Sequence, residues 1–444
     1  MTGLRSHKSL IIIIWLALSW PLIYEGIRYK KYKKQEGPAY NDPQLTGLVL
    51  QNEEPQFNWS DWFSGYYQQV RGTYWQDHWS LKGISVRLNN QLFYSIFNTL
   101  RTKGFVSGKN HYVFSENYIF SAFGDDVLPE GTVFEQMRKA RVVKDSLHAH
   151  GVELLLVWAP GKGMGCREHI ADKYVHPVSL TNTQRYVKAA QHWGLQTLNL
   201  YRWFEQLKAS APYPLFPKYG HHWSYYGECL AVDTIIRHIE WLTHTDLPDF
   251  FIRSIEVSDT ARERDADVLK SMNLYRPPQQ DVPLAYPIVE FEQNEQKNRF
   301  PILTIADSYW YGPVYMGIQQ NCFGNGSFWY YNNKIVPKPE NASEAWELDL
   351  KSELLRHKAV MLLYSDANLL DFGNRFIESA YALFVNPNQY YQSVEKNRNF
   401  KNAQKLVRQN PFLLKVATVQ SELKNISLDS AIKLQARTLL TNTP

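Results

Sequence analysis

Two short stretches of this 444-residue chain carry residue types suited to acyl transfer. In "ILTIADSYW" an apolar run of strand character ends on Ala306, Asp307 and Ser308. A strand of this kind delivers its last residues to the carboxyl edge of a sheet. There a serine hydroxyl at a turn stands beside backbone N–H groups and can act as a nucleophile. The pattern is not the G-x-S-x-G elbow, because Ala306 precedes the dipeptide and Tyr309 follows it. A serine hydroxyl is weak until a base takes its proton, so the reading requires a histidine. The second stretch, "PKYGHHWSYYGECL" at 217–230, offers His222 in the loop before a helix. Neighbouring side chains diverge, which leaves His221 a structural role. Metal binding would call for H-x-H, H-x-x-x-H or carboxylates at matched spacing, and the stretch has none. The bland alternative for His222 is a histidine packed in an aromatic core.

The elements that must position these residues follow from periodicity. "VFEQMRKARVVKDSLHAHG" (133–151) has helical spacing and a glycine stop, and it leads into the apolar strand "VELLLVWAP" (152–160). "TNTQRYVKAAQHWG" (181–194) repeats the arrangement before the short strand "LQTLNL". "GECLAVDTIIRHIEWL" predicts another helix, and "PILTIADSYW" (301–310) and "KAVMLLYSDANL" (358–369) predict two more buried strands. Buried strands alternating with helices imply a three-layer α/β domain with a mostly parallel sheet, whose ligands bind beyond the strands' carboxyl ends. A helical C-terminal extension, broken at Pro411, follows from about 390.

Composition supports a globular body, with 44% hydrophobic and 20% charged residues. The net charge of +5 is concentrated in "RYKKYKK" (28–34), which is not the broad basic face of a nucleic-acid binder. Three cysteines without C-x-x-C spacing allow at most one disulfide. The apolar run "LIIIIWLALSWPLIY" (10–24) between basic residues predicts a signal sequence retained as a membrane anchor. The charges after it (Arg28, Lys30, Lys31, Lys33, Lys34) outnumber those before it and by the positive-inside rule argue for the opposite orientation. The expected organisation is an anchor with its basic flank at 1–35, a linker at 36–75, the α/β domain at 76–388 and a helical tail at 389–444.

Taken together, "HHWSYYG" resembles the D-x-H-W-[ST/N]-x-x-G block and "IADSYW" the G-D-S block of the alginate O-acetyltransferase family. These are SGNH-hydrolase-like (GDSL) proteins that acetylate exported polysaccharides. "RLNNQLFYSIFNTLRTKGFVSGKNHYVFSENYI" (87–119) and "LLLVWAPGKG" are similar to two further blocks, so four blocks in order cover roughly 80–380. The resemblance implies an SGNH-hydrolase-like fold with Ser308 as nucleophile, Asp307 beside it and His222 as base. The family's acid, two positions before the histidine, falls on Gly220 and is missing. Asp265, Asp267 or Asp366 would then have to orient the imidazole. The amides of Ser308 and Tyr309 are expected in the oxyanion hole, and Trp223, Tyr225, Tyr309 and Trp310 are candidates to stack on a sugar.

By that resemblance the expected activity is extracytoplasmic, periplasmic O-acetyl transfer through a serine acyl-enzyme to a polysaccharide hydroxyl. A membrane-bound O-acyltransferase partner would supply the acetyl group, and the chemistry needs no cofactor. A carbohydrate esterase would use the same Ser/His pair with water as acceptor. A non-catalytic polysaccharide-binding or assembly protein on a degraded scaffold is the reading Gly220 favours.

Overall fold

A computed structural model describes residues 54–441 except 79–80, 294–296, 298, 341, 343 and 425, together with Trp15, Ser19, Leu45 and Thr46. The expected anchor at 1–35 therefore lies outside the described residues apart from Trp15 and Ser19. Among the described residues no helix is long and apolar enough to cross a membrane. The span assigned to one domain at 76–388 divides between two compact units. One comprises residues 1–116, 217–221 and 259–281, and the other 117–216, 222–258 and 282–444.

In the first unit the hairpin β1 (Phe105–Ser107) and β2 (Val113–Ser115) is antiparallel. Tyr94 from the helix Lys82–Phe97 meets Val113, Tyr219, Val268 and Met272 in its small core. The backbone of 217–221 is stitched into this unit. The Val113 N–H donates to the Lys218 carbonyl (3.1 Å) and the Leu269 N–H to the Tyr219 carbonyl (3.2 Å). Part of the expected linker is helical, over Trp59–Ser64 and Tyr66–His78. The Asn58 side chain caps the first of these by accepting from the Asp61 N–H, and Gly65, with φ of 82°, ends it.

In the second unit the continuous apolar runs become strands of one six-stranded sheet. Its members are β3 (Glu153–Ala159), β4 (Thr197–Asn199), β7 (Ile302–Ala306), β8 (Phe328–Tyr330), β9 (Lys334–Val336) and β10 (Ala359–Ser365). The order is β4-β3-β10-β7-β8-β9, and every pairing is parallel except β8 with β9. Every residue of β7 and β10 is buried, so both faces of the central strands are covered. On one face Val133, Met137, Tyr186 and Ile377, from the helices Glu130–His148, Asn182–His192 and Phe376–Val385, pack against Leu154, Leu156, Ile305 and Leu362. Each buried aliphatic side chain contributes roughly 1.5–3 kcal/mol. Thr181 opens its helix with a capping box closed by Gln184, as its sequence position suggests.

Two long strands, β5 (Phe250–Ser258) and β6 (Leu284–Phe291), form a separate antiparallel pair that the sequence pattern does not announce. Their half-exposed, polar-interrupted pattern lacks the apolar run that marks the others. At the C-terminus the helices Pro387–Gln409, Pro411–Lys424 and Leu428–Thr441 share a core of Ala403, Val407, Ala417, Ala431, Ile432 and Ala436. The break falls at Pro411, where the Asn410 side chain accepts from the N–H groups of Phe412 (3.0 Å) and Leu413 (3.1 Å).

Candidate active site

β7 lies between β10 and β8, with Ala306 in register with Leu363 on one side and Tyr330 on the other. The strand therefore releases Asp307 and Ser308 in the middle of the sheet's carboxyl edge. Asp307 is fully buried, and its carboxylate ties β7 to the end of β10. Its Oδ2 accepts from the Ser365 N–H (2.8 Å), the Ser365 hydroxyl (2.7 Å) and Asn368 Nδ2 (2.8 Å). Its Oδ1 accepts from the Tyr309 N–H at 3.0 Å and caps the short helical turn Ser308–Trp310. Asp307, placed by sequence beside the nucleophile as a catalytic group, thus holds the turn rather than the histidine.

Ser308 is half-buried while its neighbours on both sides are buried. Its Oγ lies 2.8 Å from His222 Nε2, a hydrogen bond across 86 residues of sequence. The imidazole is steadied edge-on by Tyr309 (ring centroids 5.0 Å), which packs in turn against Trp223 (4.8 Å). Ser224 anchors the end of this loop. Its Oγ donates to the Pro214 carbonyl (2.6 Å) and accepts from the Gly227 N–H (3.0 Å), capping the helix Tyr225–Thr243. A neutral imidazole whose Nε2 accepts the serine proton is the geometry a general base needs.

The structure revises several neighbouring expectations. The Tyr309 N–H is committed to Asp307, so it is not available to an oxyanion. The Ser308 N–H makes no hydrogen bond among the described residues and remains a donor. Of the four aromatic side chains expected to stack on a sugar, Trp223, Tyr309 and Trp310 are buried. Trp310 stacks on Phe323 (5.8 Å) and donates to Gln319 Oε1 (3.2 Å), and Trp223 donates to Glu228 Oε2 (3.1 Å). These are packing residues because the aromatic run turns inward. Tyr225 alone is half-exposed, beside Tyr286 at 5.4 Å.

The three spare carboxylates separate clearly. Asp366, one residue past β10, is buried against Tyr118 and Gly161, where a Cβ on the glycine would lie 1.8 Å from Asp366 Oδ1. It accepts from the Ala367 N–H (2.9 Å), and it makes no hydrogen bond to His222. Burial pushes its carboxyl up to about 7, with Asp126 and Asp307 adding like-charge repulsion. Asp366 therefore does not orient the base. Asp267 accepts the His221 N–H at 3.0 Å and so fixes the loop backbone, while the His221 ring rests by Phe105 (6.0 Å).

Asp265 is buried on the turn Glu263–Ala266, directly behind Gly220. A Cβ on Gly220 would lie 2.9 Å from the Asp265 carbonyl oxygen, 3.1 Å from that of Arg264 and 2.5 Å from Pro217 Cγ. The missing acid therefore has a steric cause: the 264–265 backbone fills the room a side chain at 220 would need.

Sequence reasoning overlooks Tyr331, which follows β8 and whose N–H donates to the Ala306 carbonyl at 2.9 Å. Its φ of 50°, followed by 49° at Asn332, is a left-handed pair that no glycine marks. Asn-Asn after a strand is the available turn signal.

With the serine and histidine 2.8 Å apart at the edge of a mostly parallel sheet, the comparison with known families is specific. Residues 108–297 match the family model of the SGNH hydrolase-like domain of the acetyltransferase AlgX. That is the family the four sequence blocks resemble, and the match takes in His222 but ends before Ser308. The chain is also similar to the O-acetyltransferase domain of Pseudomonas putida AlgJ, at 17% identity and TM-score 0.42 over 63% of this chain and 98% of that one. Pseudomonas aeruginosa AlgX matches at 13% identity and TM-score 0.39, over 64% of this chain and 67% of that one. Bacillus cereus PatB1 matches at 12% and 0.38, over 60% and 96%. A search of curated proteins finds no match.

Proposed function

We propose that this protein is an O-acetyltransferase of the SGNH-hydrolase-like class that moves an acetyl group through Ser308 to a polysaccharide hydroxyl. The observation that carries the reading is the His222 Nε2–Ser308 Oγ hydrogen bond at the sheet's carboxyl edge. The match to the acetyltransferase family model supports it. His222 takes the hydroxyl proton as Oγ attacks the acetyl carbonyl, and returns it to the leaving group. In the second half-reaction the same imidazole deprotonates the acceptor hydroxyl, whose oxygen attacks the acetyl carbonyl, and the proton passes to Ser308 Oγ as the acyl–oxygen bond breaks. Neither half-reaction calls for a metal or organic cofactor.

The apolar run at 10–24 is proposed to anchor the chain, with the α/β body outside the cytoplasm and a membrane-bound O-acyltransferase supplying the acetyl group.

Intact-mass spectrometry after incubation with p-nitrophenyl acetate tests the acyl-enzyme. One acetyl adduct is expected on wild type and none on Ser308→Ala, and an adduct that persists in the variant removes Ser308 from the mechanism. Adding an oligosaccharide then distinguishes acceptors. Acetylated sugar supports the transferase, and free acetate alone makes the protein an esterase.

A further inference from the structure

A tetrahedral adduct on Ser308 places a full negative charge on the former carbonyl oxygen, and that oxygen needs donors aimed at it. The Ser308 N–H is available, but the Tyr309 N–H is held by Asp307 Oδ1 at 3.0 Å, which leaves the expected amide pair one donor short. We propose that the phenol of Tyr331 is the second oxyanion donor of this site. The inference rests on the reading of Ser308 as an acyl-forming nucleophile.

Three features bring Tyr331 to this edge of the sheet. Tyr330 sits in register with Ala306, and the Tyr331 N–H is bonded to the Ala306 carbonyl, two residues before the serine. The left-handed backbone is costly for a side chain such as Tyr331, though asparagine at 332 adopts it readily, and it persists at Tyr331 only where the surroundings enforce it. Here the Asn332 side chain donates to the Asn374 carbonyl at 3.0 Å and its N–H to the Trp329 carbonyl at 3.3 Å. The half-buried ring lies 4.5 Å from Tyr330 and 6.4 Å from Tyr364, and Ser308 is among the side chains that act on its phenol. Burial and the nearby Asp307 carboxylate hold that phenol protonated well above the ordinary tyrosine range, so it stays a donor at working pH. Tyr330, its neighbour, has no such relation to Ser308; its ring packs on Tyr311 at 4.8 Å.

In the acylation step the Ser308 Oγ–C bond forms, the carbonyl π pair moves onto oxygen, and the Oγ proton passes to His222 Nε2. The Tyr331 O–H donates a hydrogen bond to the new oxyanion. On collapse the bond from carbon to the leaving group breaks, and the His222 proton departs with that group. Tyr331 keeps its own proton throughout.

The test is stopped-flow acylation of the full chain by p-nitrophenyl acetate, wild type against Tyr331→Phe and Tyr330→Phe. Rates are compared at temperatures where circular dichroism shows all three proteins folded. Tyr331→Phe is expected to lower the maximal acylation rate about 10²–10³-fold, with the half-saturating ester concentration unchanged. Tyr330→Phe is expected to acylate at the wild-type rate. Tyr331→Phe acylating as fast as wild type overturns the inference and leaves Ser308 as the nucleophile. A weaker half-saturation at an unchanged maximal rate makes Tyr331 a binding residue and also overturns it. A wild type that takes up no acetyl group overturns both this inference and the reading beneath it.

Discussion

Asp366→Asn isolates the cost of a carboxyl group that the fold keeps dry. The group is buried against Tyr118 and Gly161, and its Oδ2 has no hydrogen-bond partner among the described residues. Burial raises its pKa from 3.8 to about 7. The unfolded chain therefore releases this proton near pH 4, while the folded protein retains it to about pH 7. Between those values the folded state binds more protons, so stability falls as pH rises and then levels off above about 7. At about 1.36 kcal/mol for each tenfold change in proton affinity, the rise from 3.8 to about 7 corresponds to about 4 kcal/mol. Asparagine keeps the shape and the acceptor for the Ala367 N–H but cannot ionise. Chemical denaturation of both proteins at pH 4, 5.5 and 8 reads the difference, and titrations common to both cancel. The variant is expected to match wild type near pH 4 and to be about 4 kcal/mol more stable at pH 8. Acylation should be retained, since Asp366 makes no hydrogen bond to His222. A difference that is flat with pH would refute the buried, proton-holding carboxyl, and a large loss of acylation would return Asp366 to the catalytic machinery.

Two other substitutions test local packing, one in each unit. Gly220→Asp restores the acid found in the family, yet its Cβ would meet Pro217 and the Asp265 carbonyl inside 3 Å. It should cost roughly 1–3 kcal/mol in urea denaturation and give no gain in acylation rate. A stable, faster variant would show that the turn yields. Asp307→Asn sets an N–H against one of the donors now bonded to the carboxylate, whichever way the amide turns. A loss of at least roughly 1–3 kcal/mol in the same assay is expected, and unchanged stability would mean the network is dispensable.

The strands are legible because each rests on a local signal that tertiary structure has no reason to override, whereas pairing Ser308 with His222 across 86 residues draws on the family resemblance. A run such as "ILTIA" buried on both faces can be little else than a central strand, and a D-S dipeptide at its end is carried to the edge wherever that strand lies. The aromatic side chains mislead for the opposite reason. Trp223, Tyr309 and Trp310 are near the proposed centre in sequence, but a helical turn points some side chains inward, and periodicity over three residues cannot tell which. Asp307 reads as chemistry because it adjoins Ser308, while its role depends on Ser365 and Asn368, 58 and 61 positions away and joined to it by parallel pairing. Tyr331 is invisible for a related reason: what draws attention to it is backbone strain and a bond to Ala306, neither of which has a residue-type signature when no glycine marks the turn. The absence at Gly220 is the most informative sequence feature of all, and only the 264–265 backbone explains it. A side chain is excluded at one position because a turn from another segment takes its space.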